Sequence, residues 1–207
     1  MRKDPPSHEP PAGLDAGRLR LLRSADYRSM PWKNGGGVTH EIARMPVEGD
    51  VFDWRLSMAR IECPGPFSDF SGYRRTMLLL DGAGFVLRSP DLADRVFRPG
   101  GDAQVFDGAL RIHCDLLGGP CTDLNLMVRD PIATSSRIAR IDATLTLHAR
   151  GTLILFVLQG ACRVLADGQT AYPAVRDTII AGAGARVELR AMPGCTVPPA
   201  MFIADVG

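Results

Sequence analysis

The 207-residue chain has room for one large domain or two small ones. Its net charge of +1, with Lys and Arg interleaved among Asp and Glu, leaves no global field to draw in nucleic acid or an anionic membrane. Hydrophobic residues at 45% and charged residues at 23% are ordinary for a globular chain. Residues 1–17, MRKDPPSHEPPAGLDAG, hold four prolines and no apolar run. They match neither a signal peptide nor a membrane span, and too little apolar surface is present to order them. A flexible tail and a cytoplasmic protein with reduced thiols are expected. The five cysteines, Cys63, Cys114, Cys121, Cys162 and Cys195, include no CxxC pair, which argues against a structural zinc site.

Beyond the tail, Gly (22) and Pro (16) cut the chain into short segments, and helical periodicity is scarce. Runs with period-2 alternation or β-branched and aromatic enrichment predict strands over 38–44, 52–61, 75–80, 84–87, 103–106, 110–115 and 123–129. A second group follows over 137–141, 144–148, 152–158, 162–166, 178–180, 186–189 and 201–204. Asp81-Gly82, Asp107-Gly108 and Asp167-Gly168 between them suit hairpin turns, where glycine supplies the positive φ. Many closely spaced short strands predict an all-β sandwich or barrel fold. The pattern also doubles: LLLDGAGFVL (78–87) and ILFVLQGACRVL (154–165) are both apolar strand, turn, apolar strand. Two related modules are expected, 18–130 and 131–207, divided near Asp130-Pro131.

The stretch MPWKNGGGVTHEIA (30–43) resembles the signature of the HutD/Ves family. DWRLSMARI (53–61), GPFSDFSGYRRTMLLLDG (65–82) and GPCTDLNLMVRD (119–130) are similar to the family's next segments, in order. The resemblance spans roughly 19–130, and the second half matches only in its hairpin pattern. It implies a bicupin, two small cupin-type β-barrels in one chain with little helix, associated with histidine utilisation or stress response. The intact WKNGGG is nearer the HutD branch, for which the resemblance implies binding of a formylglutamate-like breakdown product.

Cupins often hold a metal on an HxH pair, a Glu and a distant His, because three or four N/O ligands must converge on one ion. The four histidines here, His8, His40, His113 and His148, form no HxH. His113 with Asp115 is the nearest approach to a ligand pair and reads as a solvent-facing strand position. No metal or other cofactor is expected.

Alternation places Thr39, Glu41 and Ala43 on one face of their strand, opposite Val38, His40 and Ile42. Arg55, Ser57 and Ala59 lie opposite Trp54, Leu56 and Met58, and Asp123, Asn125 and Met127 lie opposite Leu124 and Leu126. The polar faces either meet solvent or line a barrel mouth. Likewise, packed modules could bury the apolar faces between them, and the sequence leaves open which face turns inward. Trp32-Lys33-Asn34-Gly35-Gly36-Gly37 is either a tight turn or a ligand loop with uncovered amides. It lacks GxxxxGK[ST], so it is not a phosphate loop. Arg75 is a candidate carboxylate clamp, and Arg74 is expected in solvent.

No GxSxG is present, and Cys114 and Cys162 read as buried thiols in strands. The expected function is non-catalytic binding of a small carboxylate metabolite in the first barrel by Asn34, Thr39, Glu41, Arg55, Ser57, Arg75, Asp123 and Asn125. The second barrel is expected to be mainly structural. The alternative is a metal-independent enzyme acting on a small organic acid, with Glu41 and Asp123 as acid and base. Neither nucleic acid nor membrane is an expected partner, and the oligomeric state is not read from the sequence.

Overall fold

Alternating sequence and glycine-marked breaks organise residues 19–207, the part described by the computed structural model, into short strands with one 3-10 turn at Ser24–Asp26. In chain order these are β1 (Leu19–Leu22), β2 (Arg28–Pro31), β3 (Gly37–Met45), β4 (Trp54–Ile61), β5 (Gly65–Pro66), β6 (Tyr73–Asp81), β7 (Phe85–Ser89), β8 (Leu92–Phe97), β9 (Gln104–Asp107), β10 (His113–Leu116) and β11 (Cys121–Arg129). The second half supplies β12 (Thr134–Arg140), β13 (Thr144–His148), β14 (Thr152–Gln159), β15 (Cys162–Ala166), β16 (Gln169–Ala171), β17 (Thr178–Ala181), β18 (Arg186–Ala191) and β19 (Ala200–Val206). Among these residues no helix is long and apolar enough to cross a membrane. The expected tail, 1–17, lies outside the described residues.

Four antiparallel sheets result. The first half forms a six-stranded sheet, β2-β3-β4-β11-β6-β9, and a four-stranded sheet, β5-β10-β7-β8. The second half forms β12-β19-β14-β17, extended at its β17 edge by β1, and β13-β18-β15-β16. Adding eight to each strand number from β4 to β11 reproduces the second module's order, so the two modules repeat strand for strand. An irregularity repeats as well. Leu80 bulges from β6 opposite the Thr122/Asp123 step of β11, and Leu158 bulges from β14 opposite the Ala200/Met201 step of β19.

Each large sheet has two apolar duties. Trp54, Leu56, Met58, Leu78, Leu124 and Leu126 of the first module pack against Ile154, Phe156, Ile180, Phe202 and Ala204 of the second. The strongly apolar strand faces are therefore buried between modules. The opposite faces turn into the modules. In the second module that interior is filled by Leu153, Leu155, Val157, Val164, Leu189 and Met201 among others. In the first, one end is filled by Met77, Leu79, Phe85, Leu87, Phe97 and Phe106, and the other end is polar.

Two expectations change on the strands. Alternation grouped Ala43 with Thr39 and Glu41, but the register of β3 against β4 shifts between Glu41 and Ala43. The bulge sends both Ile42 and Ala43 to the face between the modules. β1, from the half read as first, pairs with β17 of the second, with Leu19 opposite Ala181 and Leu22 opposite Thr178. Tyr27 Oη bonds Thr178 Oγ1 at 2.8 Å and Arg176 O at 2.7 Å, so the same segment ties the modules before entering the first sheet as β2.

Candidate functional site

The polar end of the first module opens into a cavity of about 700 Å³. β3, β4, β11 and β6 lie side by side, and their inward positions carry it. Thr39 comes from β3; Arg55, Ser57 and Ala59 from β4; Asp123, Asn125 and Met127 from β11; Arg75 from β6. Register makes them rows: Ser57 sits opposite Asn125, Ala59 opposite Asp123, and Met127 between Arg55 and Arg75. The loop from Trp32 to Asn34 and the turn carrying Phe67 and Phe70 form the rim. Of the eight residues expected to form a site, seven line this cavity. The eighth, Glu41, stands behind it, accepting a hydrogen bond from Arg55 Nε at 2.7 Å.

The two arginines are held differently. Arg55 and Glu41 are largely buried, with side chains 13% and 14% exposed, and neutralise each other. Arg75 is 5% exposed. Its guanidinium carbon stands 5.2 Å from the Phe67 ring centre, 5.5 Å from Phe70 and 5.3 Å from Phe106, an aromatic collar whose faces attract a cation. Its one side-chain hydrogen bond, to Asn125 Oδ1, is long at 3.4 Å. Burial pushes the guanidinium down to about 10, with Asp123 opposing that shift and Arg55 adding to it, so Arg75 remains a cation at neutral pH.

Asp123 does not hold Arg75 by a hydrogen bond; the Arg75 guanidinium bonds Asn125 instead. Its side chain is 1% exposed, and Oδ1 is buried without a partner. Burial raises its carboxyl to about 7, against the lowering pull of Arg75. Asn34 is also partly committed: its Oδ1 accepts the Gly36 amide at 3.0 Å, leaving the NH₂ group to face outward. Trp32 serves both readings of its loop, since Nε1 donates to Thr39 Oγ1 at 2.8 Å while the ring lines the cavity. Phe70 and Phe106 were not singled out in the sequence. Only the fold brings Phe106 of β9 to the same guanidinium as Phe67 and Phe70 of the rim turn.

The repeated bulge aligns the modules residue by residue. Asp123 matches Met201, Asn125 matches Ile203, Met77 matches Leu155, Arg75 matches Leu153 and Ser57 matches Arg137. Three of the polar positions that make the first cavity are thus apolar in the second module, where they pack into the core and leave a smaller pocket of about 400 Å³ lined by Arg137, Leu153 and Ile203 among others. A depression of about 650 Å³ outside β10 is a weaker candidate, because Arg88, its central charge, already pairs with Asp115 and Asp94 on the exposed surface. Among the described residues no three His, Cys, Asp or Glu side chains converge to hold a metal ion. His113 is an exposed side chain on β10 with Asp115 at 3.5 Å, and His40 Nδ1 lies 2.9 Å from Ser29 Oγ. The residues present do not fit the metal that many cupins carry.

An all-β chain of paired sheets, with a polar cavity walled by one of them, defines the class: a cupin-like protein with a built pocket. More distant likenesses carry that fold alone, as with oxalate decarboxylase, at 10% identity and a TM-score of 0.64 over 89% of this chain and 76% of that one. The HutD family model matches residues 24–197, and the chain belongs to the HutD family. A Pseudomonas putida relative described as an uncharacterized 21.2 kDa protein in the hutC 3' region is 42% identical over 154 residues, which is 73% of this chain and 80% of that protein. The crystal structure of a conserved protein of unknown function from Pseudomonas aeruginosa PAO1 superposes with a TM-score of 0.82 at 34% identity, over 91% of this chain and 98% of that one. HutD from Pseudomonas fluorescens SBW25, solved in a formate condition, gives 0.73 at 28% identity, over 92% and 100%.

Proposed function

We propose that this protein is a non-catalytic binder of a small carboxylate metabolite of the formylglutamate type, held in the first module, and that it modulates histidine utilisation in the cytoplasm. On this reading each pair of facing sheets is one cupin-type barrel. The observation that carries the reading is Arg75: a buried cation, collared by three rings, with one long hydrogen bond and an open cavity before it. A planar guanidinium in that state fits a carboxylate with two parallel bonds. Arg55, oriented by Glu41, is the second clamp. Asn125 and Asn34 use their oxygens inside the protein, which leaves their NH₂ groups to donate to a formyl or amide oxygen. The descriptions of the P. putida and P. fluorescens relatives support the pathway.

Calorimetric titration with formylglutamate tests the reading. Arg55→Met and Arg75→Met keep apolar bulk, and each is expected to weaken binding by about 1.5–3 kcal/mol, roughly 10- to 150-fold. If both variants fold and bind as tightly as the parent, the site lies elsewhere. A second reading has one observation behind it: a carboxyl raised to about 7 inside a cavity is suited to proton transfer. Glu41 is committed to Arg55, so an enzyme would work through Asp123 alone. Loss of the formyl proton resonance during incubation at micromolar protein would favour that reading over pure binding.

A further inference from the structure

The cavity contains one feature that the clamp arginines do not explain. Asp123 places a carboxyl in the wall beside them, and an ionised carboxylate there would repel the acid that the arginines attract. The surroundings answer the charge poorly. Oδ1 has no hydrogen-bond partner, the side chain is 1% exposed, and its row neighbours on β4 and β6 are Ala59 and Leu79. A buried carboxylate with no donors is costly, whereas a buried carboxylic acid needs only one acceptor. The charged and titratable groups around it do not change the outcome. Arg75 on β6 is the nearest cation and is not hydrogen-bonded to it; Arg55 on β4 is neutralised by Glu41 of β3. The Cys114 thiol on β10, driven up to about 12 by burial, is neutral, and Lys33 on the rim is exposed.

We propose that Asp123 supplies the proton that completes this site: its un-ionised carboxyl donates a hydrogen bond to a carboxylate oxygen of the bound acid, so that binding takes up one proton and weakens above neutral pH. The proposal rests on the carboxylate-binding reading and deepens it. The two arginines attract the acid and the protonated carboxyl favours it further, because a carboxylate oxygen is the strongest acceptor that the bound acid offers this lone donor. The sign follows from the raised carboxyl of about 7. Below that pH the free protein already holds the proton, and binding is at full strength. Above it each complex must recapture a proton, so affinity falls about tenfold per pH unit.

Titration calorimetry with formylglutamate, whose own carboxyls stay ionised from pH 6 to 9, reads this directly. In two buffers of different ionisation heat, the parent protein is expected to take up close to one proton per ligand at pH 8. Asp123→Asn keeps the volume and an N–H donor; it is expected to take up none and to bind with a flat pH profile. A ¹³C carboxyl titration of the unliganded parent protein adds a measurement that no variant can spoil, with the Asp123 resonance expected to move near pH 7. A midpoint below about 5, or parent binding that is constant from pH 6 to 9, overturns the proton-donor role alone. Formylglutamate that fails to bind at pH 6 overturns the reading on which that role stands.

Discussion

Two buried aspartates show how environment, not residue type, sets a carboxyl's work. Asp177 is 2% exposed, like Asp123, and burial pushes it up as well. The amides of Ser24 and Ala174 and the Arg23 guanidinium, each at 2.8–2.9 Å, outweigh that and hold it below the usual carboxylate range. Asp123 has none of these donors. The consequences for stability are opposite in sign. Asp177 stabilises the fold above the unfolded value near 4, and that contribution fades as pH falls. Asp177→Ala is expected to cost about 2–3 kcal/mol at pH 7 in urea unfolding, and less at pH 3. The folded state prefers Asp123 protonated, so the parent protein loses stability as pH climbs from about 4 to about 7. Asp123→Asn is expected to remove that slope, its advantage over the parent growing across the same window and constant above it; an unchanged slope in urea unfolding at stepped pH would count against the buried-acid description. Residue by residue, the chemistry was partly legible. The polar types, their alternation, the glycine loop and the family resemblance together named seven of the cavity's side chains, but the missing partner of Asp123 is a property of four strands together and has no signature in any one.

At the scale of elements, bulges and edges decided what the sequence could not. Strands with clean alternation, such as β4 and β11, were legible because one face is apolar throughout. β8 was missed: its burial is weak, and Ala93, Asp94 and Arg95 break any pattern, as suits an edge. β1 and β2 were missed as four-residue edge strands, and β1's only partner, β17, lies far along the chain. The rim loop shows the reverse, a local signal with a definite cause. A Cβ on Gly37 would collide with the Arg60 carbonyl and crowd the Trp32 ring, so glycine is required where the loop enters β3. Gly37→Ala is expected to lower stability by about 1–3 kcal/mol. It is also expected to weaken ligand binding by moving Trp32, a paired effect that thermal unfolding and calorimetry can check together.

At the scale of the molecule, the apolar faces of the two large sheets make one shared core. Phe156 and Phe202 are fully buried there, facing Leu56, Leu124 and Leu126 of the other module. Phe202→Ala is expected to cost about 3–5 kcal/mol and to lower the melting of both modules in a single calorimetric transition. Two separated transitions would mean that the modules fold independently. Alternation identified these faces, but not their direction, because an apolar strand face suits a module's interior and a module's neighbour equally well. The choice is made by volume. The first module keeps room for a cavity only because its polar faces turn inward and its largest apolar surface is spent on the contact with the second.

The crossing of β1 into the far sheet has a consequence in time. On a ribosome, Leu19–Leu22 emerge early, while β17, their partner, is made more than 150 residues later. At roughly 5–20 residues per second, that interval is on the order of ten to thirty seconds. Once β11 is complete at Arg129, the first module's large sheet has an apolar face with nothing over it, and only the arrival of the second half covers that face and engages the waiting strand. Nascent chains halted before β17 should therefore recruit a holding chaperone, and chains released after β19 should let it go.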